Sequence, residues 1–212
     1  MIVSQAYTYI LNNMEIFLGA VKVHLILSSV AVAIGISICV PLGIFLAKTE
    51  KASLIIMNVV NIGRIIPSLA VLALLMPFVG IGFYPSLIAL TLLVCPPILI
   101  NTVIAVKEVD KNIVEAAYGM GMDKARVIRK VELPLALPVI ITGIKTASVE
   151  VIASATLAAF IGGGGLGVFI INGIAGANAS MLLVGAIPVA LLALSAEFIL
   201  GGIEKLTTPP TT

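Results

Sequence analysis

The residues that could do chemistry are concentrated in one charged segment, which begins at Glu115 and ends at Pro134 in an otherwise apolar chain. Its distinctive positions combine a carboxylate, small side chains and a final apolar-proline pair: Glu115, Ala116, Ala117, Gly121, Val131, Leu133 and Pro134. Basic side chains lie between them: Lys124, Arg126, Arg129 and Lys130. This mixture lacks the nucleophile or the acid-base pair of an active site. It is typical of an exposed helical surface that binds another protein.

The order of residue types in this segment predicts two short helices separated by a glycine turn. The two alanines are strong helix formers, and Glu115 is expected near the start of the first helix, where its charge favours the helix dipole. Gly121 can adopt a positive φ and end that helix, and Asp123 is suited to cap the second. Leu133 and Pro134 are expected to end the second helix. The simpler alternative is a solvated loop whose charges only set the membrane topology.

A second set of candidate residues carries polar groups within the apolar runs. Glu150 falls near the middle of the fourth run, where burying a charge costs about 2.5–3.5 kcal/mol, so it should face protein or water, or be protonated. The candidate translocation pathway consists of Glu150, Arg64, Pro67 and Ser68. The structural alternative for Glu150 is a polar contact with another span, through Arg64 or Lys145.

Several functions are excluded by motifs that the sequence lacks. It has no G-x-x-x-x-G-K-[ST] phosphate-binding motif, and the glycine-rich run 162–167 has no Lys-Ser/Thr, so we interpret that run as a tight turn. The two cysteines are interpreted as buried small hydrophobes, and no Cys/His cluster has metal-ligand spacing. We therefore expect no enzyme activity and no bound cofactor. The net charge of +2 gives no indication of nucleic-acid binding.

The elements that must position these residues are predicted to be transmembrane helices. The 212-residue chain is 60% hydrophobic and 10% charged, with a mean hydropathy of +1.24, whereas soluble domains carry about 25% charged residues. Five apolar runs are each long enough to cross a bilayer core of about 30 Å: 21–47, 54–79, 84–106, 138–161 and 181–203. The predicted fold class is an all-α polytopic membrane bundle of about five spans. A shorter apolar stretch, 168–174, is expected to form a re-entrant or interfacial turn.

The distribution of lysine and arginine predicts the orientation. These residues occur in the loops after the first and third runs and after the fifth, but not in the loops after the second and fourth. Because cytoplasmic loops are enriched in Lys and Arg, the N-terminus should be outside and the C-terminus cytoplasmic. We predict one transmembrane domain, 1–206, with a cytoplasmic segment at 107–138 and a disordered tail at 207–212. The first run has no basic leader, so we expect it to remain in the mature protein.

Small residues and prolines within the runs predict how the helices pack. The first run carries a stripe of small residues at intervals of four, suited to close contact with a neighbouring helix: Ala31, Gly35, Cys39 and Gly43. Prolines inside four runs are expected to bend or break their helices, which favours a protein with a pathway over a passive anchor: Pro41, Pro67, Pro77, Pro96, Pro97 and Pro188.

The charged segment resembles the coupling loop in the membrane subunits of bacterial ABC importers. That family's pattern is E-A-A, three residues, G, nine residues, I, one residue and L-P, and the chain matches it from Glu115 to Pro134. Val131 replaces the usual isoleucine and keeps a β-branched apolar side chain. The resemblance implies that the segment forms a coupling helix, which docks into a cleft on a separate ATP-binding subunit.

The resemblance covers most of the chain and includes two further motifs. The segments 66–70 and 160–167 are similar to those of permeases for compatible solutes such as glycine betaine, carnitine and choline. This similarity implies a type I-like importer permease in the bacterial cytoplasmic membrane. Its partners would be an ATP-binding subunit, an extracytoplasmic binding protein and a second permease subunit, identical or not. Two alternatives stay open: a permease for methionine or another amino acid, and, from a different class, an ion-coupled secondary transporter.

Overall fold

The computed structural model describes residues 2–208 and shows an all-α chain, as the sequence predicts. In this part of the chain ten α-helices follow one another: α1 (Ile2–Asn12), α2 (Met14–Ala47), α3 (Glu50–Gly63), α4 (Ser68–Val79), α5 (Phe83–Lys107), α6 (Lys111–Gly119), α7 (Lys124–Val127), α8 (Leu133–Ser154), α9 (Gly167–Ala175) and α10 (Ala179–Thr207). A π-helical turn, Ile128–Glu132, joins α7 to α8, and a 3₁₀ helix, Leu157–Ile161, follows α8.

Four helices of the described chain are long and apolar enough to cross a membrane: α2, α5, α10 and the continuous helix Lys124–Ser154 that contains α7 and α8. They correspond to the first, third, fifth and fourth predicted runs. The predicted boundaries differ most at the start of the fourth run, where the helix begins 14 residues earlier, at Lys124, among charged residues that a hydropathy criterion leaves out. The helix of the first run begins seven residues before its predicted start, at Met14, and α8 ends seven residues before the predicted end of the fourth run, at Ser154.

The second predicted run is not one straight span. Its two halves, α3 and α4, meet at an angle of 99°. They contain 14 and 12 residues, so they are about 21 and 18 Å long and neither alone crosses a core of about 30 Å. Pro67 accounts for the break, because it has no N–H to donate and disfavours the helical conformation at Ile66.

Among the six prolines singled out from the sequence, Pro67 alone lies at a break. The other five lie inside helices that continue through them: Pro41, Pro77, Pro96, Pro97 and Pro188. None of these five ends its helix, so the expected break is found only at Pro67, and the expected bends at the other five stay a prediction. Each removes one backbone donor from a helix that continues on both sides of it.

Two smaller predictions also change. The stretch 168–174 lies in a regular helix, α9, rather than in a turn, and α9 packs closely on α10: a Cβ on Gly173 would lie 2.6 Å from the Leu182 nitrogen. Thr207, the first residue of the predicted tail, is the last residue of α10. Residues 209–212 of that tail lie outside the described residues.

Glycines set the distances between α5 and the two helices that flank it. The small-residue stripe of α2 is buried: Ala31, Gly35, Cys39 and Gly43. A Cβ on Gly35 would lie 2.6 Å from Val94 Cγ2 of α5, and a Cβ on Gly143 of α8 would lie 2.6 Å from Asn101 Cβ of α5. Carbon atoms do not approach so closely, so only glycine fits at either crossing. The predicted packing of this stripe against a neighbouring helix is confirmed.

Charged side chains near one end of the bundle pair between helices. Lys145 Nζ of α8 lies 2.7 Å from Glu204 Oε2 and 3.5 Å from Glu197 Oε1, both on α10. Thr142 Oγ1 donates a hydrogen bond of 2.7 Å to Glu204 Oε1. Lys145 is therefore engaged by α10 and not by Glu150.

A second ion pair links α2 to the start of α8. It joins Lys48, directly after α2, to Glu132 in the π turn. Glu132 is only 4% exposed, and its Oε2 has no hydrogen-bond partner among the described residues. Removal of Lys48 would leave a carboxylate buried without a countercharge, which is a costly arrangement.

We predict that Gly35→Leu destabilises the bundle by about 1–3 kcal/mol, the usual cost of an overpacked contact. The reason is the clash with Val94. Gly19→Leu is the matched control in the same helix, because no atom of residues 2–208 lies within 4 Å of a Cβ at Gly19. Thermal unfolding of the purified protein in detergent measures both variants. Equal stability of the two would contradict the proposed helix contact.

We also predict that Lys48→Met lowers stability by about 1–3 kcal/mol, the cost of leaving a buried polar group unsatisfied. Adding Glu132→Gln to that variant should recover part of the loss, because the unpaired charge is then removed. Lys51→Met, at an exposed position in α3, provides the control. The same unfolding measurement applies, and additive effects of the two substitutions would argue against the pair.

Candidate functional site

The first helix of the charged segment, α6, begins earlier than the sequence predicts. Asp110 caps it, because its Oδ1 accepts a hydrogen bond of 2.8 Å from the Asn112 nitrogen. Glu115 is therefore in the middle of α6 rather than near its start, and the expected interaction with the helix dipole is wrong. The signal that could have located the start is Asp110 itself, a favoured capping residue.

Gly121 ends α6 with a positive φ of +79°, as predicted. The Met122 nitrogen donates to the Ala117 carbonyl at 3.2 Å, and the Gly121 nitrogen donates to the Tyr118 carbonyl at 2.9 Å. These two bonds form the Schellman arrangement, which satisfies the last carbonyls of a helix and favours glycine at this position. The turn therefore has a defined geometry and is not a loose loop.

Asp123 caps the second helix, since its Oδ1 accepts a hydrogen bond of 2.8 Å from the Arg126 nitrogen. The expectation that Leu133 and Pro134 end this helix is wrong, because the helix continues to Ser154. The Leu133 nitrogen donates to the Ile128 carbonyl, five residues back. The backbone hydrogen bonds have thus already shifted to the π-helical pattern, which joins residues five apart, just before Pro134. Pro134 itself has no N–H to donate.

The coupling-type segment has one face turned to the protein and one turned outward. Ala117 of α6 and Val127 of α7 are buried, and Val131 and Leu133 are half-buried. The outward face includes four motif residues, Glu115, Ala116, Gly121 and Pro134. It also includes three large apolar side chains, Ile113, Tyr118 and Met120. A short capped helix with small and apolar residues beside one carboxylate is a surface that a protein cleft can accept.

The other candidate residues line one cavity between the broken pair α3–α4 and the helices α5 and α8. Its volume is about 710 Å³, and it brings together all four residues assigned to the pathway from the sequence: Arg64, Pro67, Ser68 and Glu150. Glu150 lies near the end of α8 rather than near the middle of a span, because α8 ends at Ser154. Sequence reasoning did not assign Pro96 and Pro97 of α5 to the wall of this cavity.

Comparison with known proteins shows close relatives over nearly the whole chain. The carnitine transport permease protein OpuCB of Listeria monocytogenes is 47% identical over 186 residues, which cover 88% of this chain and 85% of the relative. The glycine betaine/carnitine/choline transport system permease protein OpuCB of Bacillus subtilis is 40% identical over 206 residues, covering 97% of this chain and 95% of the relative. The choline transport system permease protein OpuBB of Bacillus subtilis is 42% identical over 186 residues, covering 88% and 86%.

The fold is also similar to that of solved transporters. An inward-facing structure of the MetNI methionine ABC transporter contains a chain that superposes with a TM-score of 0.85 at 25% sequence identity, covering 92% of this chain and 98% of that one. The model of one family, the binding-protein-dependent transport system inner membrane components, matches residues 39–208. This chain therefore belongs to the family of binding-protein-dependent transport system inner membrane components.

Proposed function

We propose that this chain is the membrane-spanning permease subunit of an ATP-driven importer for a compatible solute such as glycine betaine, carnitine or choline. The family membership and the names of the relatives support this function. The single observation that carries the mechanism is the capped, outward-facing coupling segment, whose second half is continuous with the helix that lines the cavity.

The proposed partner of the coupling segment is a cytoplasmic ATP-binding subunit, with the segment seated in a cleft on its surface. Glu115, Ala116 and Gly121 are exposed and available for such a contact. ATP would be bound and hydrolysed by that subunit, since this sequence has no phosphate-binding loop. The chain itself needs no cofactor under this proposal.

Movement of the coupling segment would reach the cavity through one helix. The continuous helix Lys124–Ser154 has 31 residues, so it is about 46 Å long. It carries the second half of the coupling segment at one end and Glu150 near the other. The ion pair between Glu132 and Lys48 would make α2 move with it. Closure of the ATP-binding subunits would thereby switch the cavity between two accessible sides.

The remaining assembly follows from the same proposal. The protein lies in the bacterial cytoplasmic membrane with its N-terminus outside and its C-terminus in the cytoplasm. An extracytoplasmic binding protein delivers the solute, and a second permease subunit, identical or related, completes the pathway. The exposed apolar side chains of α4, among them Leu74 and Phe78, are surfaces that lipid or that second subunit would cover.

Two other functions are weaker. The fold likeness to a methionine transporter leaves an amino-acid permease as the alternative within the family. The permeases named for carnitine, glycine betaine or choline are more similar to this chain in sequence than the methionine transporter is. An ion-coupled secondary transporter would give the coupling segment no role. Uptake that survives ATP depletion but is lost when an ion gradient is dissipated would favour a secondary transporter.

We predict that Gly121→Glu lowers solute uptake about tenfold or more, because any residue with a Cβ is strained by roughly 1–2 kcal/mol at this positive φ. Glu115→Lys should lower uptake similarly by reversing the charge on the docking surface. Uptake is measured in proteoliposomes that contain the complete transporter. Gly119→Ala is the control, since that glycine has a negative φ and a Cβ there would meet no other part of the described chain within 4 Å. Normal uptake by the first two variants would refute the coupling role.

We further predict the labelling of Lys124→Cys in a chain whose Cys39 and Cys95 are replaced by alanine. A membrane-impermeant maleimide should label this single thiol only when the reagent can reach the cytoplasmic side. The exposed position of Lys124 makes the thiol accessible. Sealed right-side-out vesicles and permeabilised vesicles provide the two conditions. Equal labelling of sealed vesicles would reverse the proposed orientation.

A further inference from the structure

The cavity beside Glu150 contains one basic and one acidic side chain, which come from different elements. Arg64 follows directly after α3, at the break before α4, and Glu150 belongs to α8. Within residues 2–208 neither side chain forms an ion pair or a side-chain hydrogen bond, although both line the same space. Both side chains are exposed in the single chain.

The other charges that join helices of this bundle behave differently. Lys145 pairs with Glu204, and Lys48 pairs with Glu132. An ionisable group within a membrane domain is costly unless it has a partner or faces a polar cavity, and groups of this kind mark ligand pathways. An ion pair between helices explains Lys145 and Lys48, and no such pair explains Arg64 or Glu150 within the described residues.

The wall that carries Arg64 has a second electropositive feature. The helix α4 begins at Ser68, and its cap residue, Pro67, makes no side-chain hydrogen bond to it. As at every helix start, the first N–H groups of α4 have no partner within the helix, until the Val71 nitrogen donates to the Pro67 carbonyl at 3.1 Å. Because Pro67 and Ser68 line the cavity next to Arg64, the positive end of the helix dipole adds to the guanidinium charge there.

We propose that this cavity is a transit site for a zwitterionic solute, with the solute's carboxylate at Arg64 and the start of α4, and its quaternary ammonium group near Glu150. This inference rests on the proposed transport function and narrows its substrate class. A simple cation such as choline would be attracted by Glu150 alone and repelled by Arg64, so it would pass less well than a zwitterion, and a simple anion would be attracted by Arg64 alone and repelled by Glu150. A zwitterion has no net charge and complements both walls.

The rest of the lining is consistent with brief occupancy. The other walls are mainly apolar, and among the described residues that line the cavity none is aromatic. The ammonium group would therefore not be enclosed in an aromatic cage, which is the usual tight site for such cations. The volume of about 710 Å³ lies within the range of roughly 300–1,000 Å³ that small-molecule sites occupy. The two charged walls orient the solute without holding it tightly.

The test compares a zwitterion with a cation of the same ammonium type in the complete reconstituted transporter. Glycine betaine has a carboxylate, and choline has a hydroxyl group instead. We expect Arg64→Gln to raise the ratio of choline uptake to glycine betaine uptake by about tenfold or more over wild type, which is the scale of one charge-assisted contact. Arg64→Lys should return the ratio towards wild type. Glu150→Gln should lower the uptake of both solutes.

Matched controls are Lys51→Gln in α3 and Glu15→Gln in α2, which are exposed residues that do not line the cavity. ATPase activity of each purified complex verifies assembly. A ratio in Arg64→Gln equal to that of wild type, with both uptake rates reduced alike, would overturn the zwitterion inference alone. A wild-type complex that imports none of glycine betaine, carnitine and choline would overturn the proposed function and this inference with it.

Discussion

The close approach of α5 to α2 and α8 is the contact on which the rest of this structure depends. In a bilayer, apolar side chains gain little by leaving lipid, so helices associate through dispersion contacts between surfaces that fit at short range. Gly35 and Gly143 permit that fit on the two sides of α5, because a Cβ at either position would overlap the facing side chain. Once these three helices are set, α5 presents Pro96 and Pro97 to the cavity, and α8 extends from the cavity to the coupling segment.

Charge serves two purposes in this bundle. Lys48 and Lys145 each meet a glutamate from another helix, so these charges hold helices together. Arg64 and Glu150 instead face an open space that they share. Since an unpartnered charge is disfavoured in a membrane, the contrast separates the charges that stabilise the fold from those that we propose to act on the solute.

Helix continuity and helix interruption have complementary roles. The helix from Lys124 to Ser154 passes through Pro134 by way of a π turn and so connects the second half of the coupling segment to the cavity within one helix. The pair α3–α4 does the opposite at Pro67, where the chain turns sharply and exposes the start of α4 to the cavity. One proline thus lies within a continuous helix, whereas the other creates part of a candidate binding site.

The sequence by itself determined the features that depend on local chemistry. Hydropathy identified the apolar runs, the need for a positive φ located the turn at Gly121, the carboxylate of Asp123 marked a helix cap, and the spacing of small residues from Ala31 to Gly43 marked a packing face. Arg64 and Glu150 could be selected as candidates because ionisable groups in apolar runs are unusual. Only the tertiary structure decided that they share one cavity, that Lys145 pairs with Glu204, and that Glu132 is buried against Lys48. The physical reason is that the partner of a side chain depends on which distant segments pack beside that side chain. The continuation of a helix through a proline such as Pro134 depends on the same packing. Local sequence does not specify these neighbours.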